Sequence, residues 1–219
     1  MFMQKFHKKY AIFAETSTKI LNKEMELIPS FAVDHTNLQP GIYVSRRDEV
    51  GGEAVTTYDI RMTAPNQEPA LAPAAIHTIE HLVATYLRNN EEWKQYIIYW
   101  GPMGCLTGNY LIMKGNYEPA VVRELMLKAF QYVADYDEEV PGTTPATCGN
   151  CLMHDLPMAK YEAKRYIKRL TEAFCCEYPG VERPTAMGGR QFFDACLLFG
   201  GVKGDKEKRP GAIRALIVI

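Results

Sequence analysis

The stretch IHTIEHLVATYLRNN at residues 76–90 sets the strongest limit on how this chain can fold. Ile76, Ile79, Leu82, Val83, Tyr86 and Leu87 recur at three- and four-residue steps, which places them in one apolar stripe along a helix. Pro73 suits a first helical turn, so the spacing predicts a helix over residues 73–88. A stripe of that length has to be covered by other elements. The same helix carries His77-x-x-Glu80-His81. Residues four apart lie one turn apart on one face, so both imidazoles can reach a single ion. Glu80 lies on that side and can serve a metal-bound water or a substrate hydroxyl as a general acid/base.

The rest of the chain supplies the cover. IYVS at 42–45 and TTYDIRM at 56–62 alternate as strands do, and turn signals at Asn37 and Pro40-Gly41 precede the first. IIYWGPMG and GNYLIMKG read as two more strands. Residues 119–136 form a second amphipathic helix with Val122, Leu125, Phe130 and Val133 inward, and CLMHDLPMAKYEAKRYIKRLTEAF starts a third. Strands interleaved with helices, without regular alternation or a glycine-rich phosphate loop, predict an α+β fold on an antiparallel sheet. Residues 1–27 read as an extension with a helix over 5–21, and Pro, Gly and charge breaks from about Cys176 onward read as a tail of a different texture.

Composition narrows the function classes. The chain has 219 residues with 25 Lys+Arg against 26 Asp+Glu, enough for one domain with a core plus ragged ends. Its net charge of -1 exerts no long-range pull on nucleic acid or an acidic membrane. No run reaches the ~18 apolar residues of a membrane helix, and the N-terminal apolar run is too short for a secretory signal. The expectation is a cytoplasmic protein without nucleic-acid or membrane partners. Six cysteines in such a chain are metal ligands, reactive thiols or buried small residues rather than a disulfide framework.

A metal on His77 and His81 needs a third protein ligand. His7, His35, His154, the cysteines and the carboxylates are available. Cys148 stands out, in a Gly/Pro/Thr-bordered loop ahead of a helix, where a thiolate is favoured. Two imidazoles and one thiolate leave a fourth position open, as in a catalytic site. Cys105 lies between Gly104 and Thr107-Gly108. Glycines there allow a sharp turn and close ligand approach, which suits a thiolate base or nucleophile; a buried small residue is the plainer alternative. H-x-x-E-H is also the inverzincin metallopeptidase signature, and that reading would have Glu80 activate a zinc-bound water, with Glu138 or Glu139 offered as third ligand.

Five segments in order resemble one family, the S-ribosylhomocysteine lyases (LuxS). They are SFAVDHTNLQPGIYVSRRD, TYDIRMTAPNQEP, IHTIEHLVATYLRN, GPMGCLTGNYLI and the CGNxLxHDLxxAK pattern from Cys148 to Lys160. The resemblance spans about residues 28–170 and implies much about the rest. It implies helices packed on one face of the antiparallel sheet, in a homodimer with an active site at the dimer interface built by both chains. His77, His81 and Cys148 fall on the metal-ligand positions, with Fe(II) as the native metal and zinc or cobalt as substitutes. Glu80 and Cys105 fall on the catalytic acid/base positions. Ser30, His35 and Arg61 fall on substrate-binding positions. The implied reaction moves the carbonyl of S-ribosylhomocysteine along the ribose and expels homocysteine by β-elimination, leaving 4,5-dihydroxy-2,3-pentanedione, the autoinducer-2 precursor of quorum sensing. The resemblance leaves open whether the product serves signalling or only methyl-cycle detoxification.

Three departures stand out. Cys151 makes C-G-N-C where relatives commonly have another residue; a non-ligating Cys151 is expected, since the site needs its open position. Residues 1–27 exceed the usual N-terminus, and residues 171–219 form a tail without a family counterpart, which could occlude an interfacial site. The alternatives are the metallopeptidase and an inactive metal-binding family member; intact Glu80 and Cys105 argue against the latter.

Overall fold

The computed structural model describes residues 33–180. The helix expected over residues 5–21, Ser30 and the greater part of the tail lie outside the described residues. Four antiparallel strands form one sheet: β1 (Gly41–Val50), β2 (Glu53–Arg61), β3 (Ile97–Pro102) and β4 (Gly108–Lys114), in the order β1-β2-β4-β3. Three helices complete an α+β fold: α1 (Pro73–Asn89), α2 (Pro119–Asp135) and α3 (Leu156–Glu172).

β1 and β2 are longer than their alternation suggested, and they form a hairpin. Gly51 and Gly52 make the turn with φ of 61° and 82°, the left-handed pair that a two-residue hairpin turn requires. A bulge between Val44 and Arg46 shifts the β1 register. Such a bulge re-aims the side chain at its centre, here Ser45.

The sheet has two unlike faces. Val44, Tyr58, Leu111 and Trp100 are cross-strand neighbours in one row. With Ile42, Ile60 and Met113 they pack against the helices in a single core that includes Leu82, Val83, Phe130 and Tyr166. The opposite face carries a row of Tyr43, Asp59 and Tyr110. Phe130 is fully buried and its ring meets those of Tyr166 at 4.8 Å and Trp100 at 6.3 Å. Phe130→Ala should therefore cost about 3–5 kcal/mol of unfolding free energy, read as a lower denaturation midpoint in urea; an unchanged midpoint would mean the core is not organised around this ring.

Helix ends follow local chemistry. Pro73 and Pro119 open α1 and α2, and Asp155 caps α3 by accepting a bond from the Met158 amide at 2.9 Å. Residues 151–155 are thus loop and turn, not the start of the third helix. Both outer strands are partly closed. The Arg88 guanidinium donates to the carbonyls of Ile97 and Ile98 on β3, and the amide of Ile42 on β1 donates to the Cys175 carbonyl at 2.9 Å. Among the described residues no helix is long and apolar enough to cross a membrane.

Candidate active site

Two sets of reactive side chains form, each from different elements. The first gathers on α1. His77, His81, Cys148 and His154 bring their ligand atoms within 4.8 Å of one another. Backbone carbonyls aim the two α1 imidazoles. His77 Nδ1 donates to the Met153 carbonyl and His81 Nδ1 to the Pro141 carbonyl, each at 2.8 Å. A carbonyl only accepts, so each Nδ1 keeps its proton and each Nε2 presents a lone pair. Those lone pairs turn to the Cys148 sulfur, 3.5 Å from His77 Nε2 and 3.8 Å from His81 Nε2. Imidazoles held through the remote nitrogen are how proteins prepare a metal site, and this donor set fits a divalent ion.

His154 was only one of several spare histidines in the sequence; the fold brings it into this group. Its ring stacks on that of His77 at 4.1 Å. Thr78 Oγ1 gives its proton to the Ala74 carbonyl and so accepts from His154 Nδ1 at 3.2 Å. His154 Nε2 is buried and has no hydrogen-bond partner among the described residues. Burial and the neighbouring His77 and His81 hold its pKa below the ordinary imidazole value.

Cys151 is outside the convergent group, and so are Glu138 and Glu139, which are exposed. Cys148 does not owe its place to a helix N-terminus, because α3 begins only at Leu156. It is set by a turn in which Cys148 N bonds the Thr144 carbonyl and Asn150 N reaches the Cys148 sulfur at 3.4 Å. Glu80 lies half-buried on α1 beside the two histidines.

The second set is on the polar face of the sheet. Asp59 and Arg61 are two apart on β2 and share that face. Both are buried, at 2% and 3% exposure. The Arg61 guanidinium grips the Asp59 carboxylate through Nε at 3.0 Å and through Nη2. Burial disfavours the Arg61 charge, but Asp59 outweighs it and raises the guanidinium pKa further. Burial pushes the Asp59 carboxyl up against the pull of Arg61; the two-bond fork keeps the two groups as an ion pair.

The remaining nitrogen, Nη1, donates to Thr107 Oγ1 and lies 3.8 Å from the Cys105 sulfur. Guanidinium cannot accept, so Thr107 keeps its own proton for Cys105, 3.0 Å away. Partial burial works to raise the Cys105 thiol, but Thr107 and the Arg61 charge outweigh it and hold it below the ordinary thiol value. Cys105 is exposed, so the lowered pKa favours the reactive thiolate form at a sulfur that a ligand can reach.

The Cys105 loop turns differently from the sequence reading. Its left-handed residue is Leu106, φ 57°, and not a glycine. Gly108 serves another purpose, since a Cβ there would lie 2.2 Å from the Ile60 carbonyl oxygen. His35 faces a hollow with Ser45, Asp59, Arg61 and Tyr110. His35 and Arg61 thus line one hollow, whereas Ser30 lies outside the described residues. Asp59 and Thr107 went unnamed, though D-I-R and C-L-T carry them at strand and loop spacing, and His154 was named only among the spare candidates for a third ligand.

Comparison with known proteins settles the family. Residues 28–174 match the family model described as S-Ribosylhomocysteinase (LuxS). The chain belongs to the LuxS family. It is 61% identical over 148 residues to the S-ribosylhomocysteine lyase of Phocaeicola vulgatus, covering 68% of this chain and 92% of that one. It is 57% identical over 148 residues to the enzyme of the same name from Porphyromonas gingivalis strain ATCC 33277, with 68% and 93% covered. Against the Borreliella afzelii lyase it is 51% identical over 146 residues, with 67% and 93% covered. The LuxS match ends at Glu-Ala-Phe174, before the segment that returns to β1.

Proposed function

We propose that this LuxS-family chain is an S-ribosylhomocysteine lyase, releasing homocysteine and 4,5-dihydroxy-2,3-pentanedione, the autoinducer-2 precursor. The observation that carries the reading is the pairing of a His77–His81–Cys148 donor set with an exposed Cys105 whose sulfur is held by Thr107 and Arg61. A peptidase of the H-x-x-E-H type would call for a carboxylate in the donor set, and among the described residues the group holds Cys148 and no carboxylate.

His77, His81 and Cys148 would hold the ion, Fe(II) by family resemblance with zinc or cobalt as substitutes. When bound, the ion supplies a Lewis acid for the sugar's carbonyl and hydroxyl oxygens. The chain's own residues move the protons. The Cys105 thiolate takes a proton from the carbon beside the carbonyl and returns it to the neighbouring carbon. Glu80 carries protons to and from the hydroxyls. Two such transfers bring the carbonyl to the third ribose carbon. Abstraction of the proton at the fourth carbon then expels homocysteine sulfur from the fifth, because the electron pair of the C–H bond becomes a C=C bond as the C–S bond breaks. His35 and Arg61, with Ser30, bind the ends of the substrate. The working unit is a homodimer with its sites at the interface, the lyase domain is residues 28–170, and the setting is the cytoplasm.

The test is an anaerobic assay of the full chain loaded with Fe(II), given S-ribosylhomocysteine, with free homocysteine followed by a thiol reagent. Release well above a Cys105→Ala control supports the lyase. Release no greater than that control removes it.

A further inference from the structure

The segment after α3 leaves the LuxS match and turns back onto the polar face of the sheet. Cys175 forms a parallel bridge with Gly41. Gly41 permits it, because a Cβ there would lie 2.2 Å from the Cys175 carbonyl oxygen. Tyr178 follows. Its ring stacks on that of Tyr43, with centroids 4.7 Å apart and planes 13° from parallel. Its hydroxyl donates to Asp59 Oδ2 at 3.0 Å. Tyr43, Asp59 and Tyr110 are the cross-strand row of that face, so the Tyr178 ring lies across it. Tyr178, His35, Ser45, Asp59, Arg61 and Tyr110 surround a cavity of about 30 Å³, room for a water or one polar substituent.

We propose that Tyr178 is a positioning residue for Cys105: its hydroxyl fixes Asp59, Asp59 fixes Arg61, and Arg61 sets Thr107 and the Cys105 sulfur, while the Tyr178 ring walls the cavity that takes a polar group of S-ribosylhomocysteine. The proposal rests on the lyase reading for its substrate. Its geometry is a chain of hydrogen bonds with one end outside the family match. The Asp59 carboxylate accepts from Arg61 Nε, Arg61 Nη2 and the Tyr178 hydroxyl. Bonded on three sides, it holds the guanidinium fork in one orientation, which leaves Nη1 for Thr107 and Cys105. Without the Tyr178 hydroxyl, a buried carboxylate oxygen loses one donor. It then draws harder on Arg61, and less of the guanidinium charge serves the thiolate. Among the described residues, Arg61 from β2 and Tyr110 from β4 are the charged and titratable groups coupled to Cys105, and Asp59 acts on it through Arg61.

The experiment compares the full-length wild-type chain with Tyr178→Phe and Tyr178→Ala. The pH dependence of Cys105 alkylation by iodoacetamide is read by peptide mass, alongside kcat, KM and bound metal. Tyr178→Phe keeps the ring on Tyr43 and loses only the hydroxyl. It should raise the alkylation midpoint by about half a pH unit and lower kcat about threefold or more at unchanged KM. Tyr178→Ala should add a severalfold rise in KM, with metal content unchanged in both. Wild-type midpoint and kinetics in Tyr178→Phe overturn the proposal, even if Tyr178→Ala fails to fold. An inactive wild type whose alkylation midpoint still shifts in Tyr178→Phe sinks the lyase reading and supports the positioning of Cys105. An active wild type with an unmoved midpoint does the reverse.

Discussion

Replacing Cys105 by alanine should lower homocysteine release by about 10²- to 10⁴-fold, the range for a lost general acid/base, while bound metal stays at the wild-type level. The separation follows from the two sets of side chains. Cys105 belongs with Arg61 and Thr107, and the metal donors are anchored independently by the Met153 and Pro141 carbonyls. The pH profile adds a signed test. Thr107 and Arg61 lower the Cys105 pKa, so the active thiolate survives to lower pH than a free thiol. Activity should rise with pH along an acid limb lying below the ordinary thiol range of about 8.5. Arg61→Met removes the charge that favours the thiolate and should move that limb upward. A limb that stays in place would detach Arg61 from the thiolate, and a Cys105→Ala enzyme with near-wild-type release would remove Cys105 from the chemistry.

The second large effect concerns the ion. Cys148→Ala should lose most bound metal after desalting, and Cys151→Ala should retain it. Cys148 Sγ lies opposite both imidazole nitrogens, whereas Cys151 is outside the convergent group. Metal bound only by the folded chain stabilises it by mass action, about 4 kcal/mol when free metal is a thousandfold above Kd. The melting temperature of wild type and Cys151→Ala should therefore rise on metal addition, and that of Cys148→Ala should not. Equal metal retention in both variants would show that the donor assignment is wrong. Elemental analysis of the desalted proteins, with thermal melts in parallel, gives both readings.

Much of this site was legible because its parts are local. His77, Glu80 and His81 share one helical turn, and the helix itself announces its face through Ile76, Ile79, Leu82 and Leu87. Pro73 and Pro119 mark two helix starts at the observed positions. Cys148 and Cys105 stood out by their loop contexts. What stayed hidden depends on contacts between residues far apart in the chain. The tautomers of His77 and His81 are chosen by carbonyls more than fifty positions away. His154 joins the group only because its loop folds back over Thr78. The β1–β2 hairpin was underestimated because its outer half, Arg46 to Glu49, is charged and does not alternate with apolar residues. Leu106 in the left-handed region carries no sequence signature at all, since nearly any glycine nearby was the better candidate. Tyr178 had no motif; its role exists only once Cys175 pairs with Gly41.

The two outer strands carry a consequence for self-association. An open sheet edge invites a neighbouring chain to add a strand. On β3 that invitation is withdrawn by Arg88, which occupies two successive carbonyls. On β1 the near end is taken by Cys175, and the far end runs through Arg46, Arg47, Asp48 and Glu49, whose charges would have to be stripped of water before another strand could dock. Growth of the sheet from copy to copy into runaway fibres is thereby discouraged at both strand edges.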